Sequence, residues 1–221
     1  MNRKAKVLLG LGLLAAAPAS FAQYTLDLTG VGNGNVADGV YVSPYQGTVV
    51  GGGMNYSGYL ICDDFNTESY LNTPWNATMT AANALSGGQK FGGVTFDGQT
   101  YTAQQAYNVA GWLANGLLMN LSNSTAQNNY AFAIWDLFDG QSTGGAGTAQ
   151  LETAAFAAVT ASNGYVANNV SVFTASPNKN QSQEFLMVRA APEIDPATAT
   201  SAMTLLLGGG LVLRGRRKRQ G

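Results

Sequence analysis

Histidine is absent from all 221 residues, cysteine occurs once, at Cys62, and between Gln23 and Ala191 only three side chains are basic. Each scarcity closes off a chemistry. Without histidine there is no His-dependent triad, no His-ligated metal and no side chain that titrates near neutrality at its ordinary pKa. A single cysteine cannot form an internal disulfide, so packing and hydrogen bonds must hold the fold. Lys90, Lys179 and Arg189 face ten acids in the same stretch, a net charge of -7. A surface that acidic does not bind nucleic acid, or an anionic polysaccharide, by charge. The phosphate-binding loop, the dinucleotide fingerprint, the paired-cysteine metal spacing and the serine elbow are missing as well.

What is present is concentrated first at the two ends. Arg3, Lys4 and Lys6 precede an apolar run from Val7 to Ala17, and Ser20-Phe21-Ala22 puts small residues where a signal peptidase reads them. This predicts a signal peptide over residues 1–22, cleaved before Gln23. At the other end Pro192, Glu193, Asp195 and Pro196 lead into an apolar run from Ala202 to Leu213, closed by Arg214, Arg216, Arg217, Lys218 and Arg219. Twelve helical residues reach about 18 Å, and an extension back to Ala197 about 25 Å, against a hydrocarbon core of roughly 30 Å. The basic cluster would sit poorly in a protein core and well among phosphate headgroups, so a membrane helix over about 198–213 is expected. Basic clusters at both extremes place both termini on the cytoplasmic side and residues 23 to 191 across the membrane.

The tail resembles a PEP-CTERM sorting signal, the class recognised by exosortases. Pro192 and Glu193 stand at the first two motif positions, Ala202 to Leu213 at the membrane segment and Arg214 to Arg219 at the basic cluster; Ile194 replaces the usual second proline, with Pro196 two places on. The resemblance covers about thirty residues. It implies signal peptidase and an exosortase-like membrane protease as processing partners, a precursor tethered in the inner membrane before tail processing, a final place at the cell surface or outside it, and exopolysaccharide among the partners.

Residues 23–191 are expected to form one exported α+β domain of short β-strands packed with about three amphipathic helices, flanked by the signal helix and the membrane helix. TLDL, VYVSPY, GTVVGGG, VSVF and EFLMVRA read as strands, and YSGYLIC as a strand delivering Asp63 and Asp64 to its end. TPWNATMT reads as a strand to about Thr80, followed by a short helical turn ending at Gly87-Gly88; FGGVTFDG reads as a hairpin turning at Asp97-Gly98. The first helix starts at a capping box, Thr102 with Gln105, and shows Ala106, Val109, Ala110, Leu113, Leu117 and Leu118 on one face. The second starts at a box of Ser124 with Gln127 and stops at Asp139-Gly140, with Tyr130, Ala133, Ile134, Leu137 and Phe138 buried. The third runs from about Thr148 to Ser162, after a loop QSTGGAG.

For chemistry two sets of residues stand out. CDDFN, followed later by YAFAIWDLFDG, resembles at a distance the thioester domains of bacterial surface adhesins, in which a strand-end cysteine is acylated by a glutamine one turn before the Trp of a Gln-x-Ala-Ile-Trp helix. Cys62 takes the thiol position and Ala133-Ile134-Trp135 the helix, but the glutamine position is Ala131; Gln127, Gln104 and Gln105 are the substitutes within reach of the pattern. The alternative is a buried, inert thiol. Asp63 and Asp64 at the strand end, and Asp136 and Asp139 three apart on a helix, are candidate Ca²⁺ ligands if the two ends meet. The same carboxylates could serve as a glycosidase pair.

The sequence therefore points to a non-enzymatic exported cell-surface or extracellular-matrix protein, sorted by an exosortase-like system and associated with exopolysaccharide, without a cofactor and without nucleic acid. The alternatives are a thioester- or Ca²⁺-dependent adhesin-like binding module, and a carboxylate-based glycan enzyme.

Overall fold

The computed structural model describes residues 23–140 and 145–189. Ten strands and three helices follow one another as β1 (Gln23–Gly30), β2 (Val36–Ala37), β3 (Val40–Tyr41), β4 (Tyr45–Gly51), β5 (Met54–Cys62), β6 (Trp75–Ala81), β7 (Val94–Phe96), β8 (Gln99–Tyr101), α1 (Ala103–Leu118), α2 (Ser124–Asp139), α3 (Gly145–Thr160), β9 (Val170–Ala175) and β10 (Phe185–Val188).

Six of the strands close into a barrel in the order β1-β4-β5-β10-β9-β6, and every neighbouring pair is antiparallel. The expected α+β class, short strands packed with three helices, holds, and the closure of the sheet into a barrel adds to it. Alternating runs this short do not reveal their pairing, whereas the paired structure leaves no free edge in the main sheet. Residues opposite one another in a ladder share a face. The pairs Leu26↔Val49, Leu26↔Trp75, Phe173↔Met79, Phe185↔Phe173 and Phe185↔Cys62 thus trace one continuous face around the barrel. Tyr24 and Phe173 meet edge to face on it at 5.5 Å, and Trp75 lies 5.7 Å from Phe185. On the opposite face, Ile61, Leu186, Val170 and Val172 are equally buried, because the helices lie over that side: α1 packs on β10 and α2 on β5.

The helices pack on one another as well as on the barrel. This is why α1 is buried over more than the single face its periodicity suggests: Tyr107, Asn108, Gly111 and Ala114 are buried together with Ala106, Val109, Ala110, Leu113 and Leu117. Gly111 is required by that packing. A Cβ there would stand 2.5 Å from the Ala167 Cβ, so the loop ahead of β9 can approach only a glycine.

The capping box of Thr102 and Gln105 is formed, and Gly140 ends α2 in a left-handed conformation, φ 65°. The second helix begins differently from the expectation: Asn123 caps it, accepting from Ala126 N at 3.1 Å, and Ser124 is its first residue. Asparagine caps as well as serine does, and here its side-chain oxygen takes the N3 amide, so the helix starts one place earlier. The third helix starts at Gly145, so part of the expected QSTGGAG loop is helical. The Asp97-Gly98 hairpin is present, both residues having positive φ, while a bridge between Ala81 and Ala84 stands where a helical turn was expected.

Among the described residues no helix is long and apolar enough to cross a membrane. The three helices have 16 residues each, about 24 Å of rise. Their apolar side chains are spent on the shared core. The membrane helix and membrane tether expected from the chain's ends are corrected to this extent: no described element carries them. The signal helix over 1–22, the segment 198–213, the motif residues Pro192, Glu193 and Pro196, and the cluster Arg214, Arg216, Arg217, Lys218 and Arg219 lie outside the described residues.

Candidate functional site

The strand β5 ends under α2, and the residues that continue it form the most polar part of the interior. Cys62 faces Phe185 across the β5–β10 ladder. Alternation then sends the next side chain, Asp63, to the helix-covered side, and Glu184, one residue before β10, goes the same way. Asp63 N donates to Glu184 O at 3.3 Å, which keeps the two chains in step past the last ladder pair. Asp63, Asp64 and Glu184 have no exposed surface.

Three unpaired carboxylates at that depth would be prohibitively costly, and each is accommodated differently. Asp64 is ion-paired with Lys90 and also accepts from Thr67 N at 3.2 Å and Glu184 N at 3.3 Å. Glu184 accepts from the Tyr107 hydroxyl, the Thr174 hydroxyl and Lys90 N at 2.7 Å. Neither Asp63 oxygen meets a protein N–H or O–H, and its hydrogen-bonding neighbour is the Glu184 carboxyl. Two carboxyls in that relation need a proton between them. Burial, followed by the charges of Glu184 and Asp64, pushes Asp63 well above the usual carboxyl range, so the pair holds a proton between its two carboxyls. Burial also raises Glu184, against the donors that hold it ionised.

Cys62 is locked into the same seam. It is fully buried; its thiol donates to Asp64 O at 3.2 Å, the sulfur accepts from Asp64 N at 3.4 Å, and the Trp135 indole of α2 lies against it. Burial and the Asp63 carboxyl push the thiol up, away from the reactive thiolate. Phe65 closes the seam from outside, edge to face on Trp135 at 5.2 Å, with its N–H on Asp139 Oδ2 at 2.7 Å.

The four aspartates considered together in the sequence are thus divided. Asp63 and Asp64 share the seam, Asp139 sits at its rim, and Asp136 turns toward α3, where its carboxyl meets Glu152. Among the described residues no three Cys, Asp or Glu side chains are grouped so as to hold a metal ion.

No family model, curated protein or solved structure matches the chain.

The glutamines named for a thioester are occupied elsewhere. Gln127 donates to Leu121 O, Gln104 to Ala82 O, and Gln105 closes the α1 cap; Ala131 is buried on α2 one turn before Trp135. A different glutamine approaches: Gln183 Nε2 donates at 2.9 Å to Asp64 O, the same carbonyl that accepts from Cys62. Gln183, Glu184, Lys90, Tyr107 and Thr174 all escaped the sequence reading. No spacing links them; the barrel closure and the α1 packing bring them together across as many as 121 positions of chain.

Away from the seam, one end of the barrel carries an open depression of about 510 Å³ lined by Tyr24, Asn55, Tyr56, Met79, Met187 and Arg189. Arg189 is steadied there by Ser171 Oγ at 3.1 Å.

Proposed function

We propose that this chain is a non-enzymatic binding protein, handled by an exosortase-like system through the tail that begins at Pro192, with exopolysaccharide as the ligand class of its barrel. The observation that carries the non-enzymatic reading is the state of the seam. Its one thiol is buried and hydrogen-bonded through sulfur, and its carboxylates are held by Lys90, Tyr107, Thr174 and one another, with no exposed surface from which to reach a substrate. The depression at the barrel end supports the glycan reading. Tyrosine rings beside an amide and a guanidinium offer both the apolar faces and the hydrogen bonds that a neutral sugar chain uses.

The test is calorimetric titration of the full chain with dextran, a neutral glycan, and with alginate, an anionic one. Binding of dextran, weakened by Asn55→Ala and Arg189→Ala, is expected; binding of neither polymer overturns the glycan assignment. Sorting is tested separately by the mass of the native C terminus, which is expected to lack the basic cluster. A native chain still ending in Gly221 sinks it.

The convergence of Cys62 and Gln183 on one carbonyl favours a second reading, a covalent adhesin. There the Cys62 sulfur would bond to the Gln183 side-chain carbonyl carbon while its carbon–nitrogen bond breaks and ammonia leaves. A mature domain lighter by one ammonia, and reactive to methylamine, would establish that reading; full mass with an unreactive native thiol is the expected result.

A further inference from the structure

A second acid pair lies on the far side of α2, away from both the seam and the barrel-end depression. The β7–β8 hairpin, the last turns of α2 and the middle of α3 enclose a pocket of about 330 Å³, walled by Phe96, Phe156 and Leu137, with Asp136, Glu152 and Asp97 as its acids. Glu152 is only 6% exposed, and its Oε1 meets no N–H or O–H of the protein. Among the described residues, the hydrogen-bonding neighbour of its carboxyl is another acid, Asp136. An acid pair in a pocket lined also by Phe96, Phe156 and Leu137, with a buried acceptor left unserved, is a site short of a positive charge.

The described residues do not provide that charge. Of the basic side chains among the described residues, Lys90 binds Asp64 and Thr67, Lys179 binds Lys90 O at 3.3 Å, and Arg189 binds Ser171; none lines the pocket. We propose that this pocket binds a primary alkylammonium ion, its nitrogen on Asp136 and Glu152 and its alkyl chain along Phe96 and Phe156. The chemistry of the donor decides among cations. A hard divalent ion needs six to eight oxygens, and no three acids are grouped to hold one among the described residues. A guanidinium fork is matched to the two oxygens of a single carboxylate in one plane, whereas the three donors of an ammonium can serve carboxyls on two different helices. The stacked rings of Phe96 and Phe156, 4.2 Å apart, give the ligand's methylenes an apolar wall.

In the empty pocket the pair keeps one proton. Burial, then the hydrogen bond and charge of Asp136, push Glu152 up to about 8. The other ionisable groups facing it are Asp97 on the hairpin turn and, beyond Phe156, Tyr101 on β8; neither is a base. Binding is therefore an exchange: the ammonium enters, Glu152 ionises, and one proton leaves to the buffer. Affinity must rise with pH, by up to about tenfold per unit while the pair is protonated, and level off above about 8.

The test titrates the full chain calorimetrically with pentylammonium chloride in buffers of differing ionisation enthalpy. Expected are saturable binding, release of close to one proton at pH 7, and the rise of affinity with pH. Choline, a cation without N–H donors, and pentanol, the chain without the charge, should fail. In Glu152→Gln, affinity should drop by about ten- to hundredfold and proton release should vanish, while an unchanged or higher Tm shows the variant folded. Absence of pentylammonium binding overturns the proposal. So does equal binding of choline or ethylguanidinium, or undiminished affinity in folded Glu152→Gln.

Discussion

Lys90 is bound through its ammonium to Asp64, a carboxylate with no exposed surface, while its own backbone N–H holds Glu184 at 2.7 Å. One residue between β6 and β7 thus fastens β5 and β10 together where the barrel meets α1. Removing the ammonium would leave Asp64 buried and without its counter-charge. Lys90→Ala should cost about 3–5 kcal/mol of stability, read from urea unfolding by tryptophan fluorescence. A loss below about 1 kcal/mol would show the pair to be as weak as a surface one.

Tyr107 serves the same seam from α1. Its hydroxyl donates to Glu184 Oε1 and accepts from Phe91 N at 3.1 Å. Tyr107→Phe keeps the ring but strips a charged acceptor of one donor and leaves Phe91 N unsatisfied, so a loss of about 1.5–3 kcal/mol is expected in the same unfolding assay.

The pH dependence of stability has an unusual sign. Asp63, Glu184, Asp139 and Glu152 are all raised, chiefly by burial, so the folded chain holds protons that the unfolded chain has released. Their contribution is complete below the ordinary carboxyl range, near pH 4, and is lost as pH climbs through the raised values, to about 8 for Glu152. With no histidine in the chain, nothing of that kind titrates in the opposite sense between pH 5 and 8. Calorimetric Tm should fall by roughly 5 °C or more between pH 5 and pH 8.5. Asp63→Asn, which replaces the shared proton by an amide donor, should flatten the fall; a Tm that rises over this window contradicts the protonated Asp63–Glu184 pair.

Gly111 tests the packing of α1. Alanine there gains about 1 kcal/mol of helix propensity but drives a methyl to 2.5 Å from Ala167. Ala167 cannot swing away, because its N–H is tied to Asn108 Oδ1 at 3.1 Å. The net effect of Gly111→Ala should be a loss of about 1 kcal/mol or more, and Ala167→Gly in the same chain should recover part of it.

Local signals were readable without the fold. Thr102 and Gln105 announce their cap because both halves of it lie within one turn; Asp97-Gly98 announces its hairpin because the turn needs two positive φ values in succession. The strand YSGYLIC and the final strand were legible from their apolar runs, and the burial of Cys62 follows from its place at the end of one. The absence of histidine and the acidic balance of the body likewise needed no structure.

Neighbourhood was decided only by the tertiary structure. Asp136 and Asp139 are three apart on one helix, yet one faces Glu152 and the other Phe65, since α2 is wedged between α3 and the seam. Asp63 and Glu184 are 121 positions apart, and only closure of the barrel through the β5–β10 ladder brings them to share a proton. Periodicity records which face of an element is apolar, but the partner of that face, and the charge of a buried acid that depends on it, is fixed by long-range pairing that leaves no mark in local spacing.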